Sequence, residues 1–332
     1  MADILTFHPD RSDIATHPAR AAWLTAGGTS VEGIEVLLNE NGLPWHKSSI
    51  FRLILREPSE SVASVIAKKG RPDRIRLEQR LYESVLPQIP VTKLRYLGHA
   101  QDPDLDRAWI FIEDAGDEPF LDRSADHRKI ASEWVGALHT TAAGMPAVRS
   151  LPHEGTEDHL AMLRAARTYL LRFPTGPEMS EGTAGTVHSL VDTLSELEDR
   201  WSLVEDSCDR APRTLVHGDL TSKNLRVRSQ EGSQALFALD WETASFSFPA
   251  TDLSIVEPAH YLAQVGRIWP TLTLDDVERL ALVGRIFLTV GFLEATAKGL
   301  DRSWIDAATW DLAYYEEELS REVAALVGSR GA

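Results

Sequence analysis

Thr214-Leu-Val-His-Gly-Asp-Leu-Thr-Ser-Lys-Asn-Leu-Arg-Val, residues 214–227, is the stretch on which the reading of this 332-residue chain turns. A short apolar strand delivers His217-Gly218-Asp219, and Asn224 follows five residues after Asp219. Sixteen residues beyond Asn224, Asp240 closes the apolar run Ala235-Leu-Phe-Ala-Leu. A strand–turn–strand hairpin through Glu231-Gly232 would bring Asn224 and Asp240 to the same end of the fold. Their amide oxygen and carboxylate are hard donors, suited to a Mg²⁺ ion that keeps waters and shares phosphate oxygens. Asp219 would stand beside this pair, free of the metal and placed to accept a proton from an attacking hydroxyl. Phosphoryl transfer needs that arrangement: a metal to offset phosphate charge and a carboxylate to orient the nucleophile.

Working outward, the first third is strand-rich. Val31-Glu-Gly-Ile-Glu-Val-Leu-Leu, Ile50-Phe-Arg-Leu-Ile-Leu and Ser61-Val-Ala-Ser-Val-Ile-Ala-Lys carry β-branched residues between turn formers. Pro72 to Leu86 changes period, with Ile75, Leu77, Leu81, Tyr82 and Leu86 on one helical face. Ile110-Phe-Ile-Glu is a further strand, and Asp114-Ala-Gly-Asp reads as a hinge. Beyond it helices are expected over 125–141, 157–173, 183–204, 275–296 and 304–327, interrupted by the strands at 225–227 and 235–239. The expectation is an α+β chain: an extension over 1–30, a small β-rich lobe over 31–114 and a larger helical lobe over 115–332.

Charge narrows the partners. The chain holds 34 Lys+Arg against 50 Asp+Glu, a net of −16, which disfavours nucleic acid and attracts small cations. Residues 1–113 hold 14 basic and 15 acidic residues, so nearly all the excess acid, 20 basic against 35 acidic, lies beyond them. Cys208, the single cysteine, allows no internal disulfide and no multi-cysteine metal site. The start has early acids and no long apolar core, and Arg285 and Glu294 interrupt the most apolar stretch, Leu280 to Ala297. These features lead us to expect a soluble, cytoplasmic protein without a membrane partner.

The 214–227 segment, together with Leu239-Asp-Trp-Glu-Thr-Ala and Pro249-Ala-Thr-Asp-Leu, resembles the aminoglycoside phosphotransferase/choline kinase superfamily. That family pairs a His-Gly-Asp-x-x-x-x-Asn loop with an Asp-[Trp/Phe/His]-Glu motif. Gly218 stands where the protein kinase loop carries Arg, and no G-x-G-x-x-G, Asp-Phe-Gly or Ala-Pro-Glu motif accompanies it. The resemblance covers about residues 31–330 and implies a protein-kinase-like two-lobe fold. It also implies that ATP or GTP and Mg²⁺ serve to phosphorylate a small-molecule hydroxyl. Asp219 would be the catalytic carboxylate, Asn224 and Asp240 the metal ligands, and His217, Glu242 and Asp252 their support.

In the first lobe the resemblance makes Lys68 the lysine that holds the nucleotide phosphates, with Lys69 its competitor and Glu78 its ion-pair partner ahead of Glu83. His46-Lys-Ser-Ser-Ile, through Ser48 and Ser49, is the counterpart of the phosphate-covering loop. The base edge would meet backbone near Ile112, Glu113 and Asp114. His139 reads as a packed, hydrogen-bonded histidine. An aminoglycoside is the leading acceptor, with amino alcohols, sugars and macrolides as alternatives. A protein kinase and a non-catalytic nucleotide-binding protein are the competing classes. Acids that could meet a cationic acceptor include Glu154, Glu157, Asp158, Asp301 and Glu316 to Glu318. The family's Gly-x-Gly-Asp-Pro run is Ser245-Phe-Ser-Phe-Pro here, which implies a more apolar, less mobile loop.

Overall fold

Alternating side chains in the apolar runs of the first third set up a sheet with two unlike faces. In the computed structural model the described residues are 8–9, 13–38, 48–59, 62–104, 106–172, 181–230, 232–299 and 305–328. The chain forms two compact units, Met1–Ile130 with Thr221–Ala244, and Ala131–Leu220 with Ser245–Ala332.

The first unit is built on the strands β1 (His8–Pro9), β2 (Val31–Leu38), β3 (Ser49–Ser59), β4 (Val62–Gly70), β5 (Tyr96–Gln101) and β6 (Ala108–Glu113). They pair antiparallel in the order β1-β2-β3-β4-β6-β5. One face sends Phe51, Leu53, Leu55, Val65, Ala67, Trp109 and Phe111 into a core closed by Ala19, Ala22 and Trp23 of helix α1 (Pro18–Thr25). The Trp23 and Phe111 rings lie 5.1 Å apart. Part of the expected extension over 1–30 is therefore core of this unit. Helix α2 (Pro72–Arg80) starts at a proline, whose missing N–H costs a first turn nothing. The single helix expected to Leu86 continues instead as a π turn over Leu81–Val85 and a 3₁₀ turn over Leu86–Gln88.

The chain then runs through α3 (Ala125–Ala142), α4 (Thr156–Leu171), α5 (Glu181–Asp199), α6 (Ser202–Cys208) and β7 (Thr214–Val216). It returns to the first unit as the hairpin β8 (Leu225–Gln230) and β9 (Ser233–Ala238). Gly232 turns there at φ +84°. Val227 N–H donates to the Glu118 carbonyl at 3.0 Å, and Arg226 bridges Pro119. These backbone bonds place residues 221–244 with the first unit, whereas the sequence expectation was an uninterrupted second lobe from 115.

The second unit is completed by β10 (Ser245–Ser247), α7 (Pro258–Val265), α8 (Leu274–Gly299) and α9 (Ile305–Gly328). The helix expected over 183–204 breaks at Arg200 and Trp201 into α5 and α6. α8 is long and apolar enough, by length and composition, to cross a membrane. Here α4, α6, α7 and α9 pack on it, burying Leu280, Val283, Ile286, Phe287, Val290 and Leu293. Arg285 is paired with Glu322 at 2.9 and 3.0 Å. Cys208 at the end of α6 is buried, and burial pushes its thiol up to about 12.

Candidate active site

Strand alternation decides between the two lysines at the end of β4. Lys69 turns to the core face, 3.3 Å from Asp102 and beneath the Trp109 ring. Lys68 turns to the other face, is 4% exposed, and bonds the buried Glu78 of α2. Its Nζ also donates to Asp240 Oδ1 at 2.5 Å and Glu242 Oε2 at 3.0 Å. Burial opposes the charge on Lys68, but the three carboxylates outweigh it and hold its pKa well above the usual lysine value. The Glu78 carboxyl is pushed up by burial, with Lys68 acting against the shift.

Asp240 reaches this cluster from a strained backbone. Its φ of 63° makes it the only non-glycine residue with positive φ among those described. The hairpin explains its neighbour: Leu225 pairs with Ala238, and Leu239 N–H donates to the Asn224 carbonyl at 2.9 Å. Asn224 and Asp240 thus lie at the same end of β8 and β9. Arg74 fixes the next turn by donating to the Glu242 carbonyl at 2.7 Å. Carboxylate oxygens of Glu78, Asp240 and Glu242 lie within 4.8 Å of one another. Oxygen donors converging on one ammonium group suit a hard divalent cation.

At the hinge, Asp114 is held by side chains. Its carboxylate accepts from Arg52 Nε at 2.6 Å, Ser64 Oγ at 2.7 Å and Gly116 N–H at 3.0 Å. Burial alone would raise its pKa, yet these donors keep it below the usual carboxylate value. Glu113 takes Arg228 Nη1 at 2.7 Å, while Arg228 also donates to the carbonyls of Asp114 and Ala115. Ile112 pairs with Ile66 in the sheet. Ser49 lies opposite Lys69 and shares its face, turned from Lys68. Ser48 Oγ neighbours Gly70, on the Lys68 side. His46 and Lys47 lie outside the described residues.

The second unit carries the other set. β7 runs into a turn at Gly218, φ +84°, and the loop is braced by the fully buried Asp252. Asp252 accepts from His217 N–H at 2.8 Å and Gly218 N–H at 3.1 Å. The His217 ring accepts from Asp219 N–H at 3.3 Å. His139 bridges Asp252 at 3.3 Å and the Tyr261 hydroxyl at 2.9 Å. Ser245-Phe-Ser forms β10 against β7, with Ser245 opposite Val216. Its hydroxyls are tied to Glu154, Ser245 Oγ to the carboxylate at 3.1 Å and Ser247 Oγ to the carbonyl at 2.9 Å.

Several acids named for a cationic acceptor are engaged within the fold. Asp158 caps α4 at Gly155 N–H, Glu316 accepts from Ser189, and Glu318 pairs with Arg321. Asp301 lies outside the described residues. Sequence reasoning missed the Arg52–Asp114–Asp117 cluster and the Arg228 clamp. The available signal was a charged residue inside the apolar run Ile50-Phe-Arg-Leu-Ile-Leu.

A family model described as "Phosphotransferase enzyme family" matches residues 48–324. No curated protein sequence matches the chain. Among solved structures, the GDP complex of wild-type aminoglycoside 2'-phosphotransferase-IIIa is 14% identical with a TM-score of 0.61, covering 90% of this chain and 96% of that one. Spectinomycin phosphotransferase APH(9)-Ia, in complex with ADP and spectinomycin, is 11% identical with a TM-score of 0.58, covering 92% and 96%. A microcompartment-associated aminopropanol kinase is 14% identical with a TM-score of 0.56, covering 92% and 96%. At these identities the likeness is one of fold.

Proposed function

The chain belongs to the phosphotransferase enzyme family, as a small-molecule kinase that transfers phosphate to a hydroxyl, and from that premise we propose the nucleotide, the metal and the acceptor. The donor is ATP or GTP, the metal is Mg²⁺ and the acceptor is a cationic small molecule, an aminoglycoside or similar amino sugar. The observation that carries the reading is the meeting of Lys68 with Glu78, Asp240 and Glu242 in one buried-to-open cluster. A lone lysine with one carboxylate is a common structural ion pair. Three acids gathered on it, one from a strained backbone, exceed what neutralising a single ammonium group requires.

Lys68 holds phosphate oxygens, and Glu78 orients it. Asn224 and Asp240 would hold Mg²⁺, with Glu242 beside them; when bound, the ion offsets the charge of the phosphates. Asp219 accepts the hydrogen bond of the acceptor hydroxyl and takes its proton as that oxygen bonds to the terminal phosphorus. The nucleoside diphosphate leaves, so no covalent enzyme intermediate is needed. Catalysis comes from positioning and charge neutralisation. The excess acid beyond residue 113 supports a cationic acceptor, and such chemistry belongs in a nucleotide-rich compartment, the cytoplasm.

The test is nucleoside diphosphate release with Mg²⁺ against aminoglycosides, amino alcohols, sugars and macrolides. Acceptor-stimulated release that vanishes in Asp219→Ala, with nucleotide binding retained, is the expected result. Release that persists in Asp219→Ala removes the assigned base, and a wild-type protein that binds no nucleotide overturns the reading.

A further inference from the structure

Behind the Lys68–Glu78 pair the first unit keeps two buried hydrogen-bonding atoms unspent. Glu78 bonds Lys68 through Oε1, whereas its Oε2 is buried and accepts from no donor among the described residues. The Tyr82 hydroxyl is buried without a partner as well. Glu78 and Tyr82 are 1% and 4% exposed, so bulk solvent does not supply the missing bonds. Buried polar groups are nearly always paired, and each exception carries an unmet desolvation cost. Here the two exceptions are complementary: one is a donor and the other an acceptor.

The chain sets them one turn apart. Tyr82 follows Glu78 by four residues, in the π turn Leu81–Val85 that continues α2. Residues four apart share a helix face, and long helical side chains lean back over the preceding turn, which directs Tyr82 toward Glu78. Short π turns are rare and recur at functional sites. The charges around Lys68 also reach the hydroxyl. Burial pushes its pKa up, Glu78 adds to the rise, Lys68 opposes it and Asp240 adds again. The Trp241 indole, on the turn against which α2 packs, opposes the rise too. An indole N–H only donates, so it cannot take the hydroxyl proton, which stays available for an acceptor.

Resting on the kinase reading above, we propose that Tyr82 is a positioning residue whose hydroxyl donates to Glu78 Oε2 when a metal-bound nucleotide draws Lys68 away from its other acids. Before loading, Lys68 Nζ serves Glu78, Asp240 and Glu242 at once. Phosphate oxygens compete for its hydrogens, and a cation competes for the oxygens of Asp240 and Glu242. Loading leaves Glu78 to hold Lys68 alone, against new phosphate charge. A second donor on its free oxygen fixes the carboxylate and spreads its charge, so Lys68 stays aimed at the phosphates. Hydrogen bonds to a carboxylate are among the stronger ones, and a buried site strengthens them further. The unmet bonds therefore weigh on the unloaded protein and are made on loading.

The experiment compares Tyr82→Phe, which removes one oxygen, with wild type. Calorimetry measures binding of the Mg²⁺ complexes of the imido analogues of ATP and GTP, with adenosine and guanosine as ligands that lack phosphates. The melting temperature is taken without ligand. Expected is a loss of roughly tenfold in affinity for the Mg²⁺ complexes, with nucleoside affinity retained and the ligand-free melting temperature level or raised, because the oxygen removed bonded to nothing. A tyrosine that only fills the core would show the same melting behaviour and no loss of affinity. Unchanged affinity for the Mg²⁺ complexes overturns the proposal, as does an equal loss for the nucleosides or a fall in the ligand-free melting temperature. Should Tyr82→Phe fail to fold, Tyr82→Leu is held to the two affinity criteria. A wild-type protein that binds neither analogue overturns the kinase reading, whereas wild-type binding with an indifferent Tyr82→Phe overturns this inference alone.

Discussion

At the scale of single residues, Lys68 is the counter-charge for three converging carboxylates. Replacing it by methionine leaves Glu78 buried without its partner, a loss on the order of 3–5 kcal/mol for a broken buried pair. The deficit shrinks as pH falls, because Glu78, already raised by burial, takes up a proton in the folded state. Mg²⁺ should raise the melting temperature of Lys68→Met more than that of wild type, and a variant indifferent to Mg²⁺ would contradict a cation site there. His159 gives a second pH signature. It is stacked on Phe287 at 3.7 Å, and burial lowers its pKa to about 4. The folded state resists protonation that the unfolded chain accepts near 6.5, so stability falls as pH drops from about 6.5 to 4. The full effect is roughly 3 kcal/mol. Chemical denaturation at pH 7 and pH 4 measures it, and His159→Phe should flatten the slope.

At the scale of elements, α8 determines how firmly the 217–219 loop is braced. A Cβ on Gly284 would come 1.8 Å from the Ala250 carbonyl oxygen, so the helix touches the 249–255 turn backbone to backbone. That turn carries Asp252, which accepts the His217 and Gly218 N–H groups. Gly284→Ala should therefore lower kcat together with melting temperature while leaving nucleotide Kd unchanged; unchanged kcat would uncouple α8 from the loop. Here the reach of the sequence is plain. The β8–β9 hairpin and the helices were legible because alternation, turn formers and helical period are local. The positive φ of Asp240, the β7–β10 pairing and the split at Trp201 depend on tertiary contacts, which a linear pattern does not record. Likewise Lys68 and Lys69 stayed open until the sheet assigned them faces, and the partners of Arg52, distant in sequence, left no local pattern to read.

At the scale of the whole molecule, the charge is unevenly spread, near neutral over residues 1–113 and strongly acidic beyond. Screening should then weaken capture of a cationic acceptor. Its KM is expected to rise several-fold between low salt and 0.5 M, where the Debye length falls to a few ångströms, while that of a neutral acceptor stays level. Equal salt dependence for both would remove the electrostatic argument for a cation. The buried Cys208 has a consequence of a different kind. Its thiol, held at about 12 and shielded from solvent, yields almost no thiolate at neutral pH. The chain is therefore already a silent background for maleimide chemistry. One cysteine introduced on an exposed position of each unit would take a dye without first removing a native thiol. The emission of each dye could then report ligand binding to its own unit in the otherwise unaltered protein.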